Sequence, residues 1–374
     1  MSERRIPWRT RLALRTFRRY RHAQAALHEL TYLFWECTLR CNLSCRHCGS
    51  DCTREAAASD MPLGDFLNVL DEIRARHDPA KIAVVLTGGE PLLRPDLEMA
   101  GRAFRERGFP WGMVSNGYGL GADRFHHLLE SGLGSLTISL DGLKEAHDWL
   151  RGRPDSFTRA VEAIGRAAAV PGLAFDVVTC VNQRNFDSLG DVEALLIGLG
   201  VKRWRLFTIF PKGRAQDDAA FDLSPGQFRS LLDFIEAARK AGRITASYGC
   251  EGFLGPYEGR VRNGLFWCRA GVNIGSVLAD GSISACPSLR GDYVQGNIYQ
   301  DRFLDCWNNR FQVMRNRSWT RTGTCAECDV FPWCEGNGLH LRDGQSGRLL
   351  RCHYHWLADA PQTVLGQRSD SESE

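Results

Sequence analysis

Residues 32–52 read Tyr32-Leu33-Phe34-Trp35-Glu36-Cys37-Thr38-Leu39-Arg40-Cys41-Asn42-Leu43-Ser44-Cys45-Arg46-His47-Cys48-Gly49-Ser50-Asp51-Cys52. A strand-length apolar run opens the segment, and the spacing Cys41-x3-Cys45-x2-Cys48 follows directly on it. Three thiolates set this tightly in one loop can wrap a cubane of iron and sulfide, and three ligands for four irons leave one iron open to a small molecule. Two other readings compete. Cys37, Cys41 and Cys45 recur every four residues, as an apolar helix stripe would, because free cysteine behaves as a small hydrophobe. A zinc site would want four ligands, usually as Cys-x2-4-Cys pairs. The iron–sulfur reading suits the triplet best and leaves Cys37 and Cys52 as non-ligands.

Beyond this loop, short apolar runs at 82–86, 113–115, 136–139, 175–178 and 204–207 alternate with helix-period segments. The helical segments cover a stretch after Pro62 and roughly 97–107, 123–131, 156–169 and 189–199. Six βα units in succession predict an α/β fold, a parallel sheet with helices outside, closed or incomplete as a barrel. Ligands in such sheets sit at the C-terminal strand ends. The alternation stops after Arg214, and a helix over 224–241 leads into a Gly- and Cys-rich part without clear periodicity. The expected organisation is a basic arm (1–30), a barrel (31–222), a bridging helix (223–249), a cysteine-rich domain (250–360) and a disordered polar tail (361–374).

The chain has 374 residues, 43% hydrophobic and 24% charged, the balance of a protein with a sizeable core. Its 47 basic and 44 acidic residues leave a net charge of +3, too even to argue for a nucleic-acid partner. No apolar stretch is long enough for a transmembrane helix, and the arginine-rich start is not a secretory signal. A reducing, cytoplasmic setting is therefore expected, where grouped cysteines are metal ligands or catalysts rather than disulfides. Residues 1–30 hold eight arginines against two glutamates. Trp8, Leu12, Ala13, Thr16, Phe17 and Tyr20 share one helical face with Arg11, Arg15 and Arg18 opposite. That pattern predicts a docking helix with a solvated basic face, or else a recognition arm for an acidic peptide or anionic surface.

Cys41-x3-Cys45-x2-Cys48 resembles the signature of the radical S-adenosylmethionine (SAM) superfamily, and later motifs agree in order. Gly88-Gly89-Glu90-Pro91 follows the second strand, Ser115-Asn116-Gly117 the third and Ser139-Leu140-Asp141-Gly142 the fourth. His147-Asp148 and Arg151-Gly152 come next, Asn182 and its neighbours follow the fifth strand, and Gly213-Arg214-Ala215 the sixth. The resemblance implies a partial (β/α)6 TIM-like barrel that binds a [4Fe–4S] cluster and SAM. It implies SAM contacts from Gly88, Gly89 and Glu90, with the Glu90 carboxylate meeting the ammonium group. It assigns the SAM carboxylate to Ser139 and Arg159, and His47 to the place of an aromatic near adenine. Asn116 and Asn182 complete the set, although turn chemistry is the plain alternative for Asn116, Ser139 and Asn182.

The C-terminal pattern is Cys268-x12-Gly281-x4-Cys286, then Cys325-x2-Cys328-x5-Cys334, then Cys352. It resembles the SPASM extension, which implies a small auxiliary-cluster domain with two further [4Fe–4S] clusters. By that resemblance Cys325, Cys328, Cys334 and Cys352 hold the distal cluster, and Cys250, Cys268 and Cys286 the nearer one. The pattern departs at Gly338, where a further Cys is expected. The nearer cluster then has an open iron, a substitute such as His340 or Cys306, or is absent; Cys306 reads better as helix core. Structural zinc is the competing reading of 325–352.

The resemblance implies an enzyme that reductively cleaves SAM and abstracts hydrogen from a peptide or protein side chain. An external one-electron reductant of flavodoxin or ferredoxin type is implied with it. Pro287, where sulfatase maturases carry Asp, argues against that subclass. Remodelling of tetrapyrrole side chains is the alternative within the superfamily. A non-enzymatic iron–sulfur electron carrier and a zinc-stabilised interaction protein are the alternatives outside it, and both leave Gly88–Gly89–Glu90 without work.

Overall fold

The structure is a computed structural model and describes residues 6–56, 59–216, 218–289 and 292–358. The tail expected at 361–374 lies outside the described residues. Helix α1 (Trp8–Leu27) precedes β1 (Tyr32–Thr38), α2 (Leu63–Arg74), β2 (Ala83–Gly88), α3 (Leu97–Glu106), β3 (Trp111–Ser115) and α4 (Ala122–Glu130). The chain continues through β4 (Leu133–Ser139), α5 (Lys144–Arg151), α6 (Ser156–Ala168), β5 (Ala174–Val181), α7 (Leu189–Gly198) and β6 (Arg203–Thr208). It ends with α8 (Pro225–Ala241), β7 (Thr245–Tyr248), β8 (Ile274–Val277), β9 (Ser282–Ser284), β10 (Gly296–Asn297), α9 (Phe303–Asn309) and short helical turns.

Strands β1 to β7 lie side by side in chain order, all parallel, each joined to the next through helix. Their period-2 burial explains both faces. Leu33, Trp35, Val84, Leu86, Leu136, Ile138, Val177, Trp204 and Leu206 have almost no exposure and belong to one continuous core. Trp35 stacks on Phe66 of α2 at 4.4 Å, with Phe104 of α3 edge-on to it. The intervening residues face the barrel interior, and at the C-terminal strand ends they form the site described below. Helix α8 starts where its sequence says: Ser224 and Gln227 make a reciprocal capping box, Pro225 opens the helix, and Gly242 closes it in the left-handed region.

Three expectations need correction. The 223–249 segment holds a seventh strand, β7, after its helix; four residues are too few to show a period. The cysteine-rich part extends the barrel's own sheet, because β8 pairs parallel with the free edge of β1 (Tyr32 opposite Ile274) and β9 and β10 continue it. The basic arm is a helix, but its buried contacts are Leu14 and Arg21; of the expected apolar face, Phe17 and Tyr20 meet the rest of the protein, edge-on to Trp267. Ile6 and Leu14 pack with Phe253, Phe266, Val330 and Cys334, and Arg21 pairs with Glu335 at 3.3 Å. Trp8, Leu12 and Tyr20 stay exposed. Among the described residues no helix is long and apolar enough to cross a membrane.

Candidate active site and auxiliary thiol groups

The loop after β1 is pinned along its length by backbone hydrogen bonds. Cys41 N–H donates to Thr53, Ser44 and Arg46 N–H to the last residues of α5, and Arg214 N–H to the Cys48 carbonyl. Gly88 and Gly89 make room for this loop. Gly88 sits at φ 126°, and a Cβ there would lie 2.2 Å from the Thr38 carbonyl; one at Gly89 would lie 2.1 Å from the Arg40 carbonyl. The glycines thus bring the cysteine loop against β2 as well as facing the site. The result is a cavity of about 380 Å³ lined by Cys41, Cys45, Cys48 and the strand-end residues Gly88, Ser139 and Phe207, among others.

Most residues expected at the SAM site do line this cavity: His47, Gly88, Gly89, Asn116 and Ser139. Asn116 Nδ2 donates to Asn42 Oδ1 at 2.8 Å and lies 3.9 Å from Cys41 Sγ. His47 Nδ1 is buried without a hydrogen-bond partner, and burial pushes the ring down to about 4, so it stands neutral.

Three expected residues do not reach the cavity. Glu90 has no exposure, and its carboxylate accepts from Leu92 N–H (3.1 Å), Ser115 Oγ (2.8 Å) and Asn116 N–H (2.8 Å). It ties the ends of β2 and β3 together and is not part of the cavity lining. Asn182 makes a turn after β5: its side chain donates to the Cys180 carbonyl and accepts from Arg184 N–H. Arg159 is a solvent-facing residue of α6, half exposed beside Glu162.

Two residues missed as site candidates line the cavity wall. Arg151, at the end of α5, pairs with Asp141 at 2.6 Å and lies 3.7 Å from Cys45 Sγ. Its signal was in the sequence, as the Arg151-Gly152 step beside the ordered motifs. Cys180 also lines the cavity, and the ligand-type atoms of His47, Asp141 and Cys180 lie within 4.8 Å of one another. Cys52, set aside as a non-ligand, borders the cavity beside Cys48, whereas Cys37 is in the core and bonds the Thr87 carbonyl. Burial pushes Cys41 up to about 12, while the Cys52 hydrogen bond draws Cys48 down to about 5.

The C-terminal cysteines form two groups. Burial and the nearby thiols Cys250 and Cys268 push Cys286 up to about 12. Burial with Cys352 and Cys325 does the same for Cys334, and Cys352 feels Cys325 and Cys328. Two thiols already have donors: Asn337 N–H to Cys334 Sγ (3.2 Å) and Arg342 Nη2 to Cys325 Sγ (3.3 Å). Such donors suit thiolate ligands of a cluster, whose negative charge they offset. Cys306 is fully buried in α9, as read.

The radical SAM superfamily model matches residues 35–196, and the iron–sulfur cluster-binding SPASM domain model matches 268–329. The chain is 27% identical over 326 residues to the AdoMet-dependent heme synthase of Methanosarcina barkeri, covering 81% of this chain and 89% of that one. It is 28% identical over 313 residues to the mycofactocin maturase MftC of Mycolicibacterium smegmatis, covering 81% and 76%. Streptococcus suis SuiB bound to its precursor peptide SuiA shares the fold, with a TM-score of 0.67 at 17% identity over 86% of this chain and 75% of that one. A cysteine triplet on a cavity at the strand ends, two further thiol groups and both family matches agree: the chain belongs to the radical SAM superfamily, an enzyme of [4Fe–4S] clusters and SAM with a C-terminal SPASM domain.

Proposed function

We propose that Cys41, Cys45 and Cys48 hold the SAM-binding cluster and that the enzyme takes hydrogen from one side chain of a peptide. The cavity that all three thiols share carries this reading. When bound and reduced by an external flavodoxin- or ferredoxin-type donor, the cluster supplies the electron that splits SAM into methionine and a 5′-deoxyadenosyl radical. The chain's own residues orient and enclose. Arg151 offsets charge at Cys45, Asn116 braces the loop beside Cys41, and Ser139 and the Gly88–Gly89 backbone are polar groups for the amino-acid end of SAM. Phe207, Ile209 and Phe210 form an apolar wall that excludes water from a reactive intermediate. Cys325, Cys328, Cys334 and Cys352 would hold a distal auxiliary cluster, and Cys250, Cys268 and Cys286 a nearer one.

A cavity of about 380 Å³ that must admit SAM leaves room for one substrate side chain, presented from outside. Among the described residues, the two cations on the cavity wall are already paired, Arg151 with Asp141 and Lys212 with Asp292. A wall whose cations are taken suits a peptide side chain better than a macrocycle carrying several carboxylates. The tetrapyrrole reading keeps its place because the heme synthase of M. barkeri aligns along most of both chains. The test is anaerobic turnover with SAM and dithionite, offering deuterated peptides encoded beside the gene or iron coproporphyrin III. Deuterium in 5′-deoxyadenosine with a matching peptide mass change is expected. Consumption of the porphyrin with the peptides untouched would shift the assignment to tetrapyrrole chemistry.

A further inference from the structure

A [4Fe–4S] cluster takes four protein ligands unless one iron is left open, and the trio Cys250, Cys268 and Cys286 is one short. The place of the missing thiolate is occupied. Gly338 N–H donates to the carbonyl of Glu251 at 2.9 Å, which sets residue 338 against the chain neighbour of Cys250. A Cβ built on Gly338 would lie 2.5 Å from Cε1 and 2.9 Å from Nδ1 of His340, and 2.6 Å from the Glu251 carbonyl oxygen. The imidazole therefore fills the space that a side chain at 338 would need. A short 3-10 turn, Leu339–Leu341, folds the ring back over that glycine, and this turn packs against Pro287–Leu289, directly after Cys286.

The ring is 6% exposed, and its Nε2 is buried with no hydrogen-bond partner, a costly arrangement for a polar atom unless something absent from the protein atoms satisfies it. Its other neighbour is Phe210, 4.3 Å between ring centroids and part of the active-site wall. Cys306, the other substitute, is removed from contention. It is fully buried in the packing between α9 and β10, where its sulfur lies 2.6 Å from a Cβ built on Gly296.

We propose that His340 Nε2 is the fourth ligand of the nearer auxiliary cluster, standing in for the thiolate missing at 338. The inference rests on the reading of Cys250, Cys268 and Cys286 as a cluster site. A neutral imidazole in place of a thiolate removes one negative charge from the cluster, and nitrogen ligation raises the potential of iron–sulfur centres. The cluster nearer the active site is then the better electron acceptor of the two.

The test uses the full chain with Cys41, Cys45 and Cys48 changed to Ala, reconstituted anaerobically and reduced with dithionite. Iron analysis should return about eight iron atoms per chain, the content of two clusters. Pulsed EPR should then show a directly bound nitrogen that changes when histidine is supplied as ¹⁵N. His340→Ala should abolish that coupling, and His340→Cys should keep about eight irons without it. Two assembled clusters with no strongly coupled nitrogen would overturn the assignment, as would a coupling that survives in His340→Ala. About four irons in the His340-intact protein would instead refute the trio as a cluster site, and the inference with it.

Discussion

Arg151 is held between an acid and a thiol. Burial alone would push the Asp141 carboxyl up; the Arg151 charge overrides it and keeps the group ionised below its ordinary range. Asp141 also accepts the Cys180 N–H at 2.8 Å, so the pair fixes the ends of β4, α5 and β5 around the cavity. Removing one partner of a buried pair costs about 3–5 kcal/mol, so Arg151→Leu should lower stability by that order in urea denaturation. Combining it with Asp141→Asn should cost clearly less than the sum of the two single changes. Additive costs would mean that the pair does not act as a unit. His147 offers a pH test in the same network. Its Nδ1 accepts Asp141 N–H at 2.9 Å, and burial, then the Arg151 charge, hold the ring down to about 4 from an ordinary 6.5. The unfolded chain takes up a proton below its ordinary value while the folded one does not. Stability should therefore fall as pH drops from about 6.5 to 4, by up to about 1.4 kcal/mol per pH unit from this group. His147→Gln should flatten that slope relative to the parent, and an unchanged slope would contradict the assignment.

At the scale of elements, Glu251 joins the barrel to the cysteine-rich part. Its fully buried carboxylate accepts from Thr208 N–H and Tyr248 OH, both at 2.6 Å, with His353 Nε2 at 3.2 Å. Three elements converge on this carboxylate: the end of β6, β7 and the C-terminal helix His353–Ala358. Glu251→Ala strands at least two buried donors and should cost about 3 kcal/mol or more in thermal or urea unfolding. Glu251→Gln, which keeps one acceptor oxygen, should cost less; equal losses would point to packing rather than hydrogen bonding. The six barrel strands and the helices between them, except the two-turn α5, were legible in the sequence because each carries several turns or alternations of pattern. Strands β7 to β10 carry two to four residues each and were not. The cysteine triplet was legible because its spacing is itself the geometry. Glu90, Arg159 and Asn182 were misplaced because spacing along the chain does not say where a side chain points once its backbone is fixed. For α1 the apolar stripe was visible and its Phe17 and Tyr20 meet Trp267, yet the buried contacts come from Leu14 and Arg21 on another face.

For the whole molecule, the consequence is that barrel and auxiliary domain share one sheet of order β10-β9-β8-β1-β2-β3-β4-β5-β6-β7. Ending the chain at residue 249 would remove β8 and leave the β1 edge, with Leu33 and Trp35 beside it, without a partner. Such a truncation should aggregate or lose its native profile on size-exclusion chromatography; a monodisperse, natively folded product would refute the shared-sheet dependence. The account of function stands or falls with the thiols at the other side of β1. The direct measurement is 5′-deoxyadenosine formed from SAM and dithionite by anaerobically reconstituted protein, compared with its Cys41→Ala, Cys45→Ala and Cys48→Ala variants. The account predicts production by the parent and none above background in each variant. Undiminished 5′-deoxyadenosine in all three would contradict it.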